Sequence, residues 1–364
     1  MEHLELDSLV PVYGGMCLSR SEGVIFVKGA IPGERVLVEI IEKKRDYLRA
    51  HIVEIVSTSP DRVEPLCPVF GSCGGCHYQH ISYKRQLAIK EEILKDCLTR
   101  IGKIDFPLTE TISGNQWNYR HKAQLKLSFE NSIPNIGFYR ENTRDIIPIE
   151  QCNIVSKPIN NILTKLRTSN IFGKVRELDI LSAENTIAYL KDTTNGHTLA
   201  SYLLDEGFNG VIYGSNENDF RGDNHCIFKM DIPNIGNFTY TVSPQGFFQS
   251  NWALNLKLIE EITKSLEKEL IGTDVLDIYG GAGNFALPIS TKASSVTVVE
   301  ENPFCIFDGK SNIKLNNIKN IRFIAKSFEK AKIDGKYNLV ILNPPRRGLS
   351  NEAVQKLIAL NPNH

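Results

Sequence analysis

Apolar and polar positions alternate in three successive styles along the chain. Over residues 1–59, short β-rich runs (GVIFV, RVLVEII, AHIVEIV) are broken at Gly14-Gly15, Lys28-Gly29 and Pro32-Gly33. Several short strands in some sixty residues predict a small OB-like β-barrel. Such barrels often carry oligonucleotides, and a purely structural barrel is the other reading. Over residues 82–101, Leu87, Ile89, Ile93, Leu94, Leu98 and Ile101 recur at helical spacing, and Gly102 stops the run. From about 105 to 240 the pattern is mixed and mostly β. AQLKLSFE and IPNIGFYR predict a hairpin around Asn131 to Pro134, KPINNILTKLRTS a helix, RELDILSA and TIAYLKD a second hairpin around Glu184-Asn185, and NFTYTVSP a strand. Beyond 240 a helical stretch, SNWALNLKLIEEITKSLEKEL, leads into strands at VLDIY, SSVTVVE, IRFIAKS and YNLVILN. That rhythm predicts a parallel, doubly wound sheet with its ligand at the carboxyl ends of the strands. The expected fold class is therefore α/β and multidomain: an N-terminal barrel (1–59), a mixed α+β central domain (60–240) and a C-terminal Rossmann-like domain (241–364).

Composition narrows this little. Forty-two basic and 42 acidic residues cancel, so overall charge does not announce a nucleic-acid binder. Local basic clusters occur at Lys43, Lys44, Arg45 and Arg49, at Lys84, Arg85 and Lys90, and at Arg120, His121, Lys122 and Lys126; such clusters are more often solvated faces than binding patches. No apolar run is long enough to span a bilayer, and MEHLELDSLV lacks a basic-then-apolar signal pattern. The expectation is a cytoplasmic monomer without a membrane partner. Eight cysteines in such a chain argue against a disulfide scaffold.

Two stretches carry chemistry. In DIYGGAGNFALPIS (277–290), an apolar strand runs through a glycine-rich turn into the opening of a helix. Gly280, Gly281 and Gly283 permit a sharp bend and a close ligand, and the free N–H groups of a new helix suit polar or anionic groups. The next strand ends in Glu300, which can accept both hydroxyls of a ribose. The turn also fits a dinucleotide fingerprint at Gly281 to Ala286, so by itself it leaves nicotinamide, flavin, S-adenosylmethionine (SAM) and a bland turn open. Further on, Asn343-Pro344-Pro345-Arg346-Arg347-Gly348 sets a stiff loop at the same sheet edge, where a planar base could be held. The second stretch is CPVFGSCGGCHYQH, which spaces Cys67, Cys73 and Cys76 as C-x5-C-x2-C. Three such thiolates suit a metal or iron–sulfur centre, with distant Cys152 as the better fourth ligand and His77 as its rival.

In order and spacing, the motifs GVIFVKGAIPGERV, CPVFGSCGGC with Cys152, NYRHKAQL, GFYRENTRDIIPIEQC, SPQGFFQSN, DIYGGAGNF and NPPRRGL resemble the SAM-dependent RNA uracil-C5 methyltransferases, in the 23S rRNA branch that carries an iron–sulfur cluster. The resemblance spans essentially the whole chain. It implies a TRAM domain for the barrel, a [4Fe–4S] cluster on Cys67, Cys73, Cys76 and Cys152, and SAM contacts from Gln249, Tyr279, Asn284, Glu300 and Asn343. The implied partner is RNA, 23S rRNA foremost, in a looped or single-stranded segment. The implied reaction adds a cysteine thiolate to C6 of uracil, so that C5 can attack the donor methyl group before a base removes the C5 proton.

The chain departs from that pattern in several places. The family's nucleophilic cysteine and basic glutamate are expected beyond the helix in LSNEAVQKLIALNPNH, past His364, so no catalytic residue is assigned. Asn343 stands where Asp is usual, Gly280 where Cys is usual, and Ser327 where an acidic cofactor contact is common. The sequence thus predicts an intact methyl-donor cradle in a catalytically incomplete chain of marginal stability with an unpaired sheet edge. The alternatives are a non-catalytic RNA-binding iron–sulfur protein and a tRNA uridine methyltransferase. A base-amine methyltransferase is disfavoured by Arg346, which stands where an aromatic residue would follow Asn-Pro-Pro.

Overall fold

The computed structural model describes residues 3–7, 9–20, 23–130, 133–167, 175–191, 193, 195–214 and 219–364. The chain divides into two compact units, Met1–Gln116 with Ile136–Asn153 and Trp117–Asn135 with Ile154–His364, so the stretch 60–240 contributes to both.

The first unit begins with β1 (His3–Leu6), β2 (Val10–Val12), β3 (Met16–Ser19), β4 (Ile25–Lys28), β5 (Arg35–Lys43) and β6 (Leu48–Ser57). They form one six-stranded sheet in the order β1-β5-β6-β4-β3-β2. Alternate residues (Ile25 and Val27, Val36 and Val38) turn inward with Leu6, Cys17 and Ala50, as a half-buried sheet requires. Below it, Glu34 is buried and held in a two-pronged pair by Arg62, whose Nε and Nη2 donate to its two oxygens at 2.6 and 2.8 Å. Helix α1 (Tyr83–Asp96) starts at Ser82, whose Oγ accepts from the Arg85 amide, and ends in a π turn over Cys97–Ile101. Only part of the expected apolar stripe is its core face: Ile89 is buried and Ile93 packs beside it against Ile31 and Ile81, whereas Leu94 and, beyond the helix, Ile101 are 50% and 66% exposed.

Next come β7 (Lys122–Glu130), β8 (Ile133–Tyr139), β9 (Ile146–Pro148) and α2 (Lys157–Leu166). The tip of the first expected hairpin, at 131–132, lies outside the described residues. β10 (Glu177–Ser182) and β11 (Thr186–Lys191) form the second hairpin, Ser182 facing Thr186, and β10 also pairs with β7. After α3 (Gly196–Asp205), β12 (Gly210–Ile212) lies parallel to β11 and pairs with β13 (Phe220–Gly222). β14 (Cys226–Ile232) and β15 (Gly236–Val242) then make a separate two-stranded ribbon.

The C-terminal α/β layer follows α4 (Trp252–Ser265) and α5 (Glu267–Leu270). Its elements are β16 (Asp274–Ile278), α6 (Ala286–Ile289), β17 (Ser295–Glu300), α7 (Pro303–Leu315), β18 (Ile321–Ala325), β19 (Leu339–Leu342) and α8 (Asn351–Leu360). The four strands are parallel, in the order β18-β17-β16-β19. Central β16 is buried from Val275 to Ile278, Asp277 included, because both its faces are covered. The outer edge of β19 is not bare as expected. Val340 N donates to His364 O at 3.0 Å, and the amides of Asn363 and His364 donate to Asn338 O.

Candidate active site

The site is built where β16 ends. Tyr279 (φ +61°), Gly281 (φ +58°) and Gly283 (φ +88°) are all left-handed, so the chain reverses within five residues and α6 starts at once. Glycine takes that conformation without cost, whereas a tyrosine there is strained and holds its place because its neighbours fix it. Tyr279 N donates to Val299 O at 2.9 Å, and its ring meets Phe328 edge-on. Gly280 is a glycine for a different reason: a Cβ would lie 2.7 Å from both Asp277 Oδ2 and Val298 Cγ1.

A cleft opens beside this turn at the carboxyl ends of the strands. Gln249, Tyr279, Asn284 and Asn343 line it, together with Phe247 and Phe285. Four of the five cofactor residues expected from sequence thus converge on one cavity. Glu300 sits against the loop: its Oε2 accepts from Gly281 N at 3.0 Å, and its Oε1 accepts from Glu301 N and Asn302 N at 2.8 Å each. Asn284 is tied in a reciprocal amide pair with Asn255, at 2.7 and 3.0 Å.

The loop carrying Gln249, residues 243–251, is held from two sides. On one side α7 presents Asp308, Asn312 and Asn316, one per turn. Asp308 accepts from Ser243 N and Oγ, Asn312 accepts from Thr241 N at 2.8 Å, and Asn316 accepts from Thr239 N at 2.9 Å. These side chains complete the free edge of β15 in place of another strand. On the other side is NYRHKAQL: His121 N donates to Ser250 O, and Lys122 Nζ donates to Pro244 O and Gly246 O at 2.7 and 3.1 Å. Burial depresses the Lys122 ammonium. Lys122, which the sequence shows as part of a basic cluster, here buttresses the loop that carries Gln249. Nothing in the local pattern signals that, because the partner carbonyls lie over a hundred residues away.

Known proteins bear on this geometry. The family model for tRNA (uracil-5-)-methyltransferases matches residues 223–362, which contain the whole cleft. An RNA methyltransferase of Aquifex aeolicus is 32% identical over 371 residues, covering 96% of this chain and 85% of that protein. The chain belongs to the RNA uracil-C5 methyltransferase family. A second relative from this family, the 23S rRNA (uracil(1939)-C(5))-methyltransferase RlmD of Shewanella amazonensis, is 29% identical, with 93% of this chain and 80% of that one covered. The crystal structure of the Pyrococcus abyssi tRNA (uracil-54, C5)-methyltransferase with S-adenosyl-L-homocysteine has the same fold. Its TM-score is 0.71 at 22% identity, over 98% of this chain and 88% of that one. As an RNA (uracil-5-)-methyltransferase, the chain takes SAM as its methyl donor.

Two further groups set the electrostatics of this methyltransferase site. Asp277 is fully buried beneath the turn; burial first, and the nearby Glu300 charge second, push its carboxyl up to about 7. Neither of its oxygens accepts a hydrogen bond of normal geometry, and the nearby Ala286 amide offsets only part of that burial. Sequence reading passed over this residue as an ordinary strand position. Of the two cysteines in this unit, Cys305 packs under the loop, with its Sγ accepting from Phe247 N at 3.2 Å, and Cys226 is buried in the ribbon. Burial pushes both thiols up to about 12, so neither supplies a thiolate at neutral pH.

The other cysteine group lies in the first unit. Burial raises the Cys73 and Cys76 thiols; Cys152 and Cys67 raise both further, as a shared set of like charges would. Gly75 N–H bonds to Cys73, and the Gln79 side chain bonds to Cys76 and accepts from Cys67 N at 3.2 Å. Among the described residues, no three His, Cys, Asp or Glu side chains converge on a point as a single metal ion requires. His77 makes no such group with the thiols and instead lies 3.9 Å from Glu141.

Proposed function

We propose that this chain is the cofactor- and RNA-binding body of an enzyme that methylates C5 of a uridine in 23S rRNA. The observation that carries the reading is the convergence of Gln249, Tyr279, Asn284 and Asn343 on one cleft at the carboxyl ends of a parallel sheet, with Glu300 braced against the glycine turn. When bound, SAM supplies the methyl group. Glu300 keeps one lone pair of Oε2 free for a ribose hydroxyl, the Tyr279 ring covers an apolar part of the cofactor, and Gln249 reaches its amino-acid end. Asn284, whose Oδ1 is already used, offers its remaining amide hydrogen. Asn343, on the stiff loop after β19, faces the place a flipped base would take and hydrogen-bonds it without adding charge. Choice of 23S rRNA is supported by the relatives named for it; the matched tRNA family model supports a tRNA substrate as the second reading.

C5 of uracil becomes nucleophilic towards a methyl sulfonium once a thiolate has added to C6. Neither Cys226 nor Cys305 suits that step. Residues 1–364 alone are therefore expected to bind SAM yet leave rRNA unmodified. Incubation with SAM and a 23S rRNA fragment, followed by nucleoside mass spectrometry, tests this; any 5-methyluridine would overturn the incomplete-site reading. Competition between 23S fragments and tRNA transcripts for binding separates the two substrate readings.

For the first unit we propose an RNA-facing role, with the six-stranded sheet as a TRAM-like module and Cys67, Cys73, Cys76 and Cys152 holding a [4Fe–4S] cluster. Cys67 and Cys152 both bear on the Cys73 and Cys76 thiols, yet among the described residues the set forms no single-ion site; a cluster is larger than one ion and takes its ligands from around it. Protein purified anaerobically is expected to show broad visible absorption that Cys76→Ser removes. A colourless wild-type protein would exclude the cluster. The protein is expected to be a cytoplasmic monomer, to be checked by sedimentation and cell fractionation.

A further inference from the structure

Helix α7 carries large apolar residues on both sides. Its buried side combines Cys305 and Ile306 with Asp308 and Asn312, whereas Phe304 and Phe307 face outward, 44% and 61% exposed. One and two turns further on, the same outer side carries exposed Lys310 and Lys314, and neither makes an ion pair among the described residues. Two exposed phenylalanines on one helix face cost hydrophobic free energy that their own fold does not recover. The polar inner side explains why Asp308 and Asn312 are inside, since they complete β15. It gives no reason for aromatic residues outside.

The location suggests one. Phe247, 64% exposed, lines the cofactor cleft, and its amide bonds to Cys305, between Phe304 and Ile306 on α7. Phe307 is backed by His225, stacked at 6.0 Å and 21°, and His225 is itself oriented by Asp308 at 3.2 Å. An aromatic row therefore begins at the cleft and continues onto α7, one ring braced from behind, and it gives way to two unpaired ammonium groups. Aromatic faces followed by basic side chains are what unstacked bases and their phosphates recognise.

We propose that the outer face of α7 is a shelf for the single-stranded RNA that flanks the target base, with Phe304 and Phe307 stacking bases and Lys310 and Lys314 meeting phosphates. This rests on the RNA-substrate reading above. Fluorescence anisotropy with a labelled single-stranded oligouridylate at several salt concentrations tests it, with SAM titration of every variant as the check on folding. The pair Phe304→Ala with Phe307→Ala is expected to lose about tenfold or more in RNA affinity, with an unchanged salt slope and intact SAM binding. Phe307→Trp, which keeps a stacking face, should stay close to wild type. Lys310→Gln with Lys314→Gln should weaken binding and lower the salt slope by between about one and two. Wild-type RNA affinity in the alanine pair, with SAM binding intact, would sink the shelf while leaving the RNA reading standing. A wild-type protein that binds SAM but no RNA would sink both. A dimer in sedimentation that the alanine pair dissolves would assign the face to self-association and overturn the proposal.

Discussion

Asp277 shows how much one side chain can set. Its folded-state carboxyl titrates at about 7, against about 3.9 in an unfolded chain, so between these values the folded protein holds a proton that the unfolded chain has released. The stability from that proton is full below about pH 4, is lost as pH rises to about 7, and is constant above; the whole span is on the order of 4 kcal/mol. Urea unfolding between pH 5 and 8 should therefore show wild type weakening as pH rises, and Asp277→Asn should remove most of that slope. Glu300 tests the opposite environment. Its carboxylate accepts three backbone N–H groups, so Glu300→Gln must turn an amide donor towards one of them. The expected result, read by calorimetric titration, is SAM affinity lower by roughly tenfold or more and a stability loss of about 1–3 kcal/mol. Gly280 explains a departure from the family pattern. With Asp277 and Val298 this close, Gly280→Cys is expected to destabilise by about 1–3 kcal/mol, measurable in the same urea experiment.

At the scale of elements, the informative unit is α7 against β15. Strand β15 pairs with β14 on one side only, and its other edge is closed by Asp308, Asn312 and Asn316 rather than by a strand. This side-chain ladder fixes where β15 ends, and so where the loop carrying Phe247 and Gln249 begins. Asn312→Ala removes the acceptor of the half-buried Thr241 N–H, an expected loss of about 1–2 kcal/mol in unfolding free energy. The same variant should loosen the loop and weaken SAM binding without touching a lining residue, and titration against Asn316→Ala, further from the loop, checks that gradient. Strands and helices of the C-terminal layer were legible from period and turn chemistry. The ladder was not: asparagines spaced four apart on a helix read as an exposed polar face until a strand edge is seen beside them. The half-covered stripe on α1 has the same root, because apolar spacing marks Leu87 to Ile101 but not that only the Ile89–Ile93 stretch meets a neighbour.

For the whole molecule, both tryptophans, Trp117 and Trp252, belong to the unit that holds the cofactor cleft. Tryptophan fluorescence therefore follows that unit. SAM at a hundredfold its Kd should add about 2.7 kcal/mol to its unfolding free energy, an increment that Glu300→Gln should reduce at the same SAM concentration. What the sequence determined alone was local. The glycine turn, the strand before it, the acidic residue ending the next strand, and the order of motifs that placed the chain in its family all depend on neighbours within a few residues. Tertiary structure decided the rest: that Gln249 and Asn343, over ninety positions apart, share a cleft; that Lys122 supports the loop instead of meeting solvent; that Asp277 is buried without a hydrogen-bond partner; and that α7 turns its phenylalanines outward. Burial and long-range hydrogen bonds depend on which surfaces meet after folding, and no periodicity along the chain records that.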